Sequence, residues 1–285
     1  MKTKFAYFGT PYVASETLEM LVSAGYVPSV VITSPDAPSG RGNVMTACPT
    51  KVWAESNGIP VLTPARLTPE VVEEINGYGC QYAVVVAYGK IIPQALIDAF
   101  PLGILNIHYS LLPKYRGASP VESAILHGET ETGVSIQKMV YELDAGDVLA
   151  TAEVEISPTE TTKELRPRLI QIGAELLVQI LPSFVDGSIV ATPQDHALAT
   201  HFGKIKKEEG LLSLLGDDGE NFRKYRAYAE SPGTYFFAVK DDKRIRVKIV
   251  HATYEGGQFL PTRIVPEGKT EQDFSYLARN KYAAE

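Results

Sequence analysis

Between residues 1 and 185, short apolar runs alternate with stretches of helical periodicity, and this alternation restricts the fold more than any other feature. Strands are expected over Phe5–Phe8, Ser29–Thr33, Tyr82–Ala87, Ile104–His108, Val134–Met139 and Leu149–Ile156. Helices are expected over Ala14–Ala24, Lys51–Asn57, Pro69–Ile75, Pro120–His127 and Thr162–Phe184. Such an order gives an α/β domain, a Rossmann-like, mostly parallel sheet with helices on both faces. The run AVVVA (83–87) is apolar throughout, as a strand covered on both faces should be. In the last helix Leu165, Leu169, Ile172, Leu176, Ile180 and Phe184 recur at spacings of three and four.

After Asp186-Gly187 the pattern is lost, and residues 187–204 read as a linker. Beyond it Gly233–Ala238, Arg244–Tyr254 and Gln258–Ile264 read as strands parted by Asp-Asp, Gly-Gly and Pro turns. The expected layout is a first domain over 1–186 and a small C-terminal β-barrel, OB-like, over 205–285. Charge divides in the same way. Residues 204–285 hold 15 Lys+Arg and 13 Asp+Glu, a net +2, whereas 1–203 carry −9. A mildly basic second part permits an anionic partner.

Several classes are disfavoured. MKTKFAYFGTPY reads as a first strand rather than a signal peptide, no run of about 18 apolar residues suggests a membrane span, and cytoplasmic residence is expected. The two cysteines, Cys48 and Cys80, make no disulfide framework, and the histidines show no zinc-type spacing. No heptad is visible, so a monomer is expected.

Ligands of open α/β sheets bind beyond the carboxyl ends of the strands. The first such end, Phe8-Gly9-Thr10-Pro11, lacks the G-x-G-x-x-G of a dinucleotide site. The fourth, ILNIHYSLLPKYRG, puts Asn106 and His108 on one face through its period of two. An amide and an imidazole so placed can converge on one small group, with His108 as acid, base or oxyanion stabiliser. The turn Leu143-Asp144-Ala145-Gly146-Asp147 offers two carboxylates to orient the ring. The plainer reading is that these polar groups satisfy backbone and shape a turn.

The string NIHYSLLPKYRG followed by LDAGDVL resembles the signature of the folate-dependent formyltransferases. FGTPYVA, SPDAPSGRG, PTKVWA, VVVAYGKIIP and GKIKKEEG extend the likeness in the same order, and are most similar to the branch acting on methionyl-tRNA. The resemblance implies a Rossmann-like domain with a C-terminal barrel and Asn106, His108 and Asp144 as catalytic residues. It implies 10-formyltetrahydrofolate as donor, with no metal, held by Ser110, Leu111, Leu112 and Pro113 and by the backbone around Tyr88, Gly89 and Ile91. The implied acceptor is the amine of methionyl initiator tRNA; the alternative is an amino group on a nucleotide-linked sugar.

In such proteins the loop matching Ser34–Lys51 enters the tRNA acceptor stem, which points here to Arg41 and Lys51. Ala37 stands where the family has a basic residue, and Tyr109 and Val140 also depart from its pattern. In the second domain Arg244, Arg246 and Lys248 alternate along one strand, so that all three share a face able to track phosphates.

Overall fold

The computed structural model describes residues 3–40 and 42–284. The chain forms two compact units: residues 1–117, 133–154 and 167–201 make the first, and 118–132, 155–166 and 202–285 the second. The residues expected as a linker therefore lie mostly in the first unit, where Val148 and Thr192 form an isolated bridge.

In the first unit seven strands form one sheet. Read across it, they are Val148–Glu155, Glu131–Lys138, Gly103–His108, Tyr82–Val86, Phe5–Gly9, Val30–Ile32 and Val61–Leu62. The last five are parallel; Glu131–Lys138 runs antiparallel to Gly103–His108. The order is Rossmann-like, as expected. Both faces of the Phe5–Gly9 and Tyr82–Val86 strands are buried, which is why their sequences do not alternate. Helices begin at Pro49, Pro69 and Pro120, where proline's missing N–H falls on a donor that a helix cannot satisfy anyway.

The helix Thr162–Asp186 is long and apolar enough, by length and composition alone, to cross a membrane. Yet Leu165, Leu169, Ile170, Ala174, Leu177, Leu181 and Phe184 are buried within the protein, each large side chain contributing about 1.5–3 kcal/mol. Its apolar stripe is core packing. Gly173 brings this helix close beneath the Gly103–His108 strand: a Cβ there would sit 3.0 Å from Ile107 Cγ2. The helix backbone at Gly173 thus packs closely on the side chains of Ile107, Val134 and Tyr109, next to the strand that carries Asn106 and His108.

Short elements escaped the sequence pattern. Ala37–Ser39 and Val44–Thr46 pair as an exposed hairpin inside the long polar loop. Gln94–Asp98 is helical, and Asp217 caps the helix Asp218–Ala227 through Glu220 N. In the second unit Tyr235–Lys240, Lys243–Glu255, Gln258–Pro266, Gln272–Asp273 and Ala283–Ala284 form a five-stranded antiparallel sheet, the sheet of the small barrel expected. Ile245, Val247, Ile249, Phe236 and Phe259 fill its core. Register shifts at His251 mark a bulge that turns the longest strand.

Candidate active site

The Gly103–His108 strand delivers Asn106 and His108 to its carboxyl end, and the turn after Lys138 delivers Asp144. Asn106 Nδ2 lies 3.4 Å from Asp144 Oδ1, and His108 Nδ1 lies 3.7 Å from the same oxygen. The His108 ring is buried; the Asp144 side chain is 10% exposed. His108 Nε2 sits 2.8 Å from the Tyr115 carbonyl oxygen. A carbonyl can only accept, so Nε2 carries a proton, and Nδ1 is the nitrogen left to face the cluster.

Two further groups, not singled out in the sequence, complete the carboxylate's surroundings. Gly117 N donates to Asp144 Oδ2 at 2.8 Å, and Gln137 Nε2 donates to Oδ1 at 3.1 Å. Gln137 stands directly opposite Asn106 across the antiparallel pairing, and Ser135 opposite His108. The Asp144 backbone has a φ of 51°, a left-handed conformation that Asp tolerates better than most side chains. Asp147, the other carboxylate of the turn, is exposed; it contributes its carbonyl to Lys138 N rather than a side chain to the cluster.

The segment Ser110–Pro113 follows at once and is pinned through Ser135. Ser135 Oγ donates to the Ser110 carbonyl at 2.7 Å and accepts from Leu112 N at 3.0 Å. Leu112 and Pro113 form one wall of a cleft of about 360 Å³, with Val148–Thr151 and Thr192–Asp195 around it. Tyr88, Gly89 and Ile91 are not among its lining. Tyr88 is a core residue, edge-on to Phe8, and burial pushes its phenol up to about 12; its carbonyl accepts from Thr10 Oγ1. Gly89 has a φ of 78°, and Ile91 is 80% exposed. Val140, Tyr141 and Leu143, just before Asp144, are also exposed, so uncovered apolar side chains occupy both the loop after Val86 and the turn that carries the carboxylate.

Of the residues expected to meet nucleic acid, Arg41 lies outside the described residues. Lys51 is already paired, its Nζ 2.8 Å from Asp36 Oδ1, a hydrogen bond that raises the lysine's pKa. In the second unit Arg244, Arg246 and Lys248 do share one exposed face, with Ile245, Val247 and Ile249 buried behind them. Aromatic rings support this face: the Arg244 guanidinium lies 3.8 Å from the Phe237 ring centre and that of Arg246 3.7 Å from Tyr235.

Missed in the sequence were Gln137, Arg116, Ser135 and Gln194. Arg116 stood inside the quoted KYRG string, but nothing there shows that its side chain would be 1% exposed. Gln194 fell in the stretch read as linker.

An amide, an imidazole and a carboxylate thus meet at the carboxyl end of a parallel strand, the place where Rossmann-type enzymes bind their ligands. A family model described as formyl transferase matches residues 1–181, and the chain belongs to that family. A methionyl-tRNA formyltransferase of Citrifermentans bemidjiense is 41% identical over 267 residues, covering 93% of this chain and 83% of the relative. Among solved structures, the methionyl-tRNA formyltransferase from Clostridium thermocellum has a TM-score of 0.60 at 17% identity, over 95% of this chain and 99% of that one. The N-formyltransferase of Helicobacter canadensis, in complex with folinic acid and dTDP-3-aminofucose, has a TM-score of 0.65 at 18% identity, over 89% of each chain.

Proposed function

We propose that this protein transfers the formyl group of 10-formyltetrahydrofolate to the free amine of methionyl initiator tRNA. Residues 1–186 carry the chemistry in this reading, and 205–285 help to hold the tRNA. The observation that carries it is the convergence of Asn106, His108 and Gln137 on Asp144, in a chain 41% identical to a methionyl-tRNA formyltransferase over most of both lengths.

The donor supplies an activated formyl group. The protein's part is to hold and polarise. Asn106 Nδ2 and His108 Nδ1 lie 3.4 and 3.7 Å from the same Asp144 oxygen, and with His108 protonated both can donate to an oxygen gaining negative charge, each donor contributing about 3–4 kcal/mol in comparable sites. With Nε2 committed to Tyr115, the proton that His108 gives or takes is the one on Nδ1. Asp144, held by Gly117 N and Gln137, orients His108 and takes the proton lost by the attacking amine, directly or through water. That proton passes to N10 of the tetrahydrofolate as the bond between N10 and the formyl carbon breaks. No covalent bond to the protein is needed.

The residues present fit a folate. Ile91, Val140, Tyr141 and Leu143 offer uncovered apolar surface to a flat ring, and Ser110–Pro113 supplies a wall fixed by Ser135. The Arg244, Arg246 and Lys248 face suits phosphates, because guanidinium planes stacked on rings are pre-oriented donors. Lys51 must exchange Asp36 for a phosphate, and its contribution is smaller for that reason.

The test is formylation by the purified chain with 10-formyltetrahydrofolate and methionyl initiator tRNA, with methionyl elongator tRNA as control. Transfer to the initiator alone is expected. Transfer to neither tRNA, with folate still bound, would direct the reading to a nucleotide-linked sugar amine.

A further inference from the structure

We infer that Gln194 is a positioning residue: it ties the buried Arg116 guanidinium to the backbone of the turn that presents Asp144, and thereby sets the place of the catalytic carboxylate. The inference rests on the formyl-transfer reading above.

Every hydrogen-bonding atom of the Gln194 amide is engaged. Nε2 donates to the Asp144 carbonyl at 2.9 Å and to the Gly146 carbonyl at 2.6 Å. Oε1 accepts from Arg116 Nε at 3.2 Å and Nη2 at 2.8 Å. The orientation of the amide has one solution. Flipped, its oxygen would meet two carbonyl oxygens, and its NH2 would meet a cation. The arginine therefore fixes the amide, and the amide fixes the turn.

The turn needs such a hold. Asp144 occupies a left-handed backbone conformation, which Asp tolerates but which bonds to the turn's own carbonyls help to hold. Gly146 N donates to Gln137 Oε1 at 3.1 Å, and Gly146 packs so tightly on the Lys138 carbonyl that no Cβ fits. Gln194 adds two bonds to the backbone of the turn from outside the strand, beside those that Asn106 and Gly117 make to the Asp144 side chain. Arg116, in turn, is 1% exposed; its guanidinium also lies 3.2 Å from His196 Nδ1 and 3.8 Å from Glu142, the latter side chain 68% exposed. A guanidinium this buried is costly unless it is hydrogen-bonded, so Gln194 is needed at both ends of the link.

Gln194→Glu keeps the shape and the contact to Arg116 but turns a carboxylate oxygen toward the Asp144 and Gly146 carbonyls. Gln194→Met removes both contacts at similar volume. The readouts are kcat and KM for initiator methionyl-tRNA and for 10-formyltetrahydrofolate, each variant being compared with the parent and with Asp144→Asn. We expect both variants to melt as cooperative folded proteins and to lose about 10- to 100-fold in kcat, with KM for either substrate nearly unchanged. In the Asp144→Asn background the same substitutions should cost little more, because their effect runs through that carboxylate. Unchanged kcat in a folded variant, or an equal loss with and without the Asp144 carboxylate, would overturn the proposal. Should Gln194→Met not fold, Gln194→Glu alone decides it. A parent chain that formylates nothing would overturn the functional reading itself, and is scored before any variant.

Discussion

Gln137 and Asn106 face each other across two antiparallel strands and reach the same atom, Asp144 Oδ1, from 3.1 and 3.4 Å. Two side-chain amides on one carboxylate oxygen leave His108 Nδ1, 3.7 Å away, as the third group around it. The carboxylate is therefore aimed by side chains of the sheet as well as by the turn that carries it.

That relationship makes Gln137 testable. Gln137→Met removes one donor to Asp144 and the acceptor for Gly146 N, at nearly constant volume. We expect a fall in kcat of about 10- to 100-fold, with folate binding by fluorescence titration unchanged. Loss of donor binding in parallel with kcat would mean that Gln137 serves the pocket rather than the carboxylate.

Gly146→Ala should be harmful for a different reason. A Cβ at this position overlaps the Lys138 carbonyl oxygen, which is backbone and cannot swing away. The expected cost is about 1–3 kcal/mol of stability, read from a urea unfolding midpoint, together with reduced turnover. A variant as stable as the parent would show that the turn can open without consequence.

The basic face of the second unit predicts a salt signature. Arg244→Gln and Arg246→Gln should each lower the slope of log affinity for initiator tRNA against log salt by about one, with folate binding untouched. Stacking on Phe237 and Tyr235 also contributes about 0.5–1 kcal/mol per arginine to the sheet, so the melting temperature should fall slightly as well. An unchanged salt slope in both variants would remove this face from the tRNA path.

Alkaline pH should destabilise the protein. Burial pushes the phenols of Tyr88 and Tyr228 up to about 12, and raises those of Tyr7 and Tyr82 as well. In the unfolded chain tyrosine ionises near 10. Between these values the native state binds more protons than the unfolded one, so unfolding becomes easier as pH rises. The stabilisation is whole below about pH 10 and is lost as pH climbs through about 12. Denaturant unfolding at about pH 9 and about pH 11 should show the lower midpoint at the higher pH. Absorbance titration of the native protein should leave these phenols un-ionised when exposed tyrosines have titrated.

Much of the first unit was legible because its strands and helices follow from periodicity. Tyr82–Val86 is apolar on both faces, and the stripe from Leu165 to Phe184 keeps helical spacing. The short pieces were not legible. Val61–Leu62 is two residues long, and the Ala37–Ser39 hairpin is wholly exposed, so neither carries an apolar pattern to read. The helix Asp218–Ala227 is mostly polar and owes its place to Asp217 and to Phe222 packing rather than to an apolar stripe.

The sequence by itself determined that Asn106 and His108 share a face, because strand side chains alternate with a period of two. It also determined that Arg244, Arg246 and Lys248 do so, and it supplied the strings that join this chain to the formyl transferases. Only the tertiary structure decided which groups meet Asp144. Gln137 lies 31 positions beyond Asn106 and reaches it only through an antiparallel register, and Gln194 comes from a stretch with no periodic pattern at all. It likewise decided that Lys51 is held by Asp36 and that His108 faces the cluster through Nδ1. Local patterns fix which way a side chain points from its own backbone. Register, a left-handed turn and the burial of Arg116 are settled by contacts between distant segments, and those exist only once the sheet has closed.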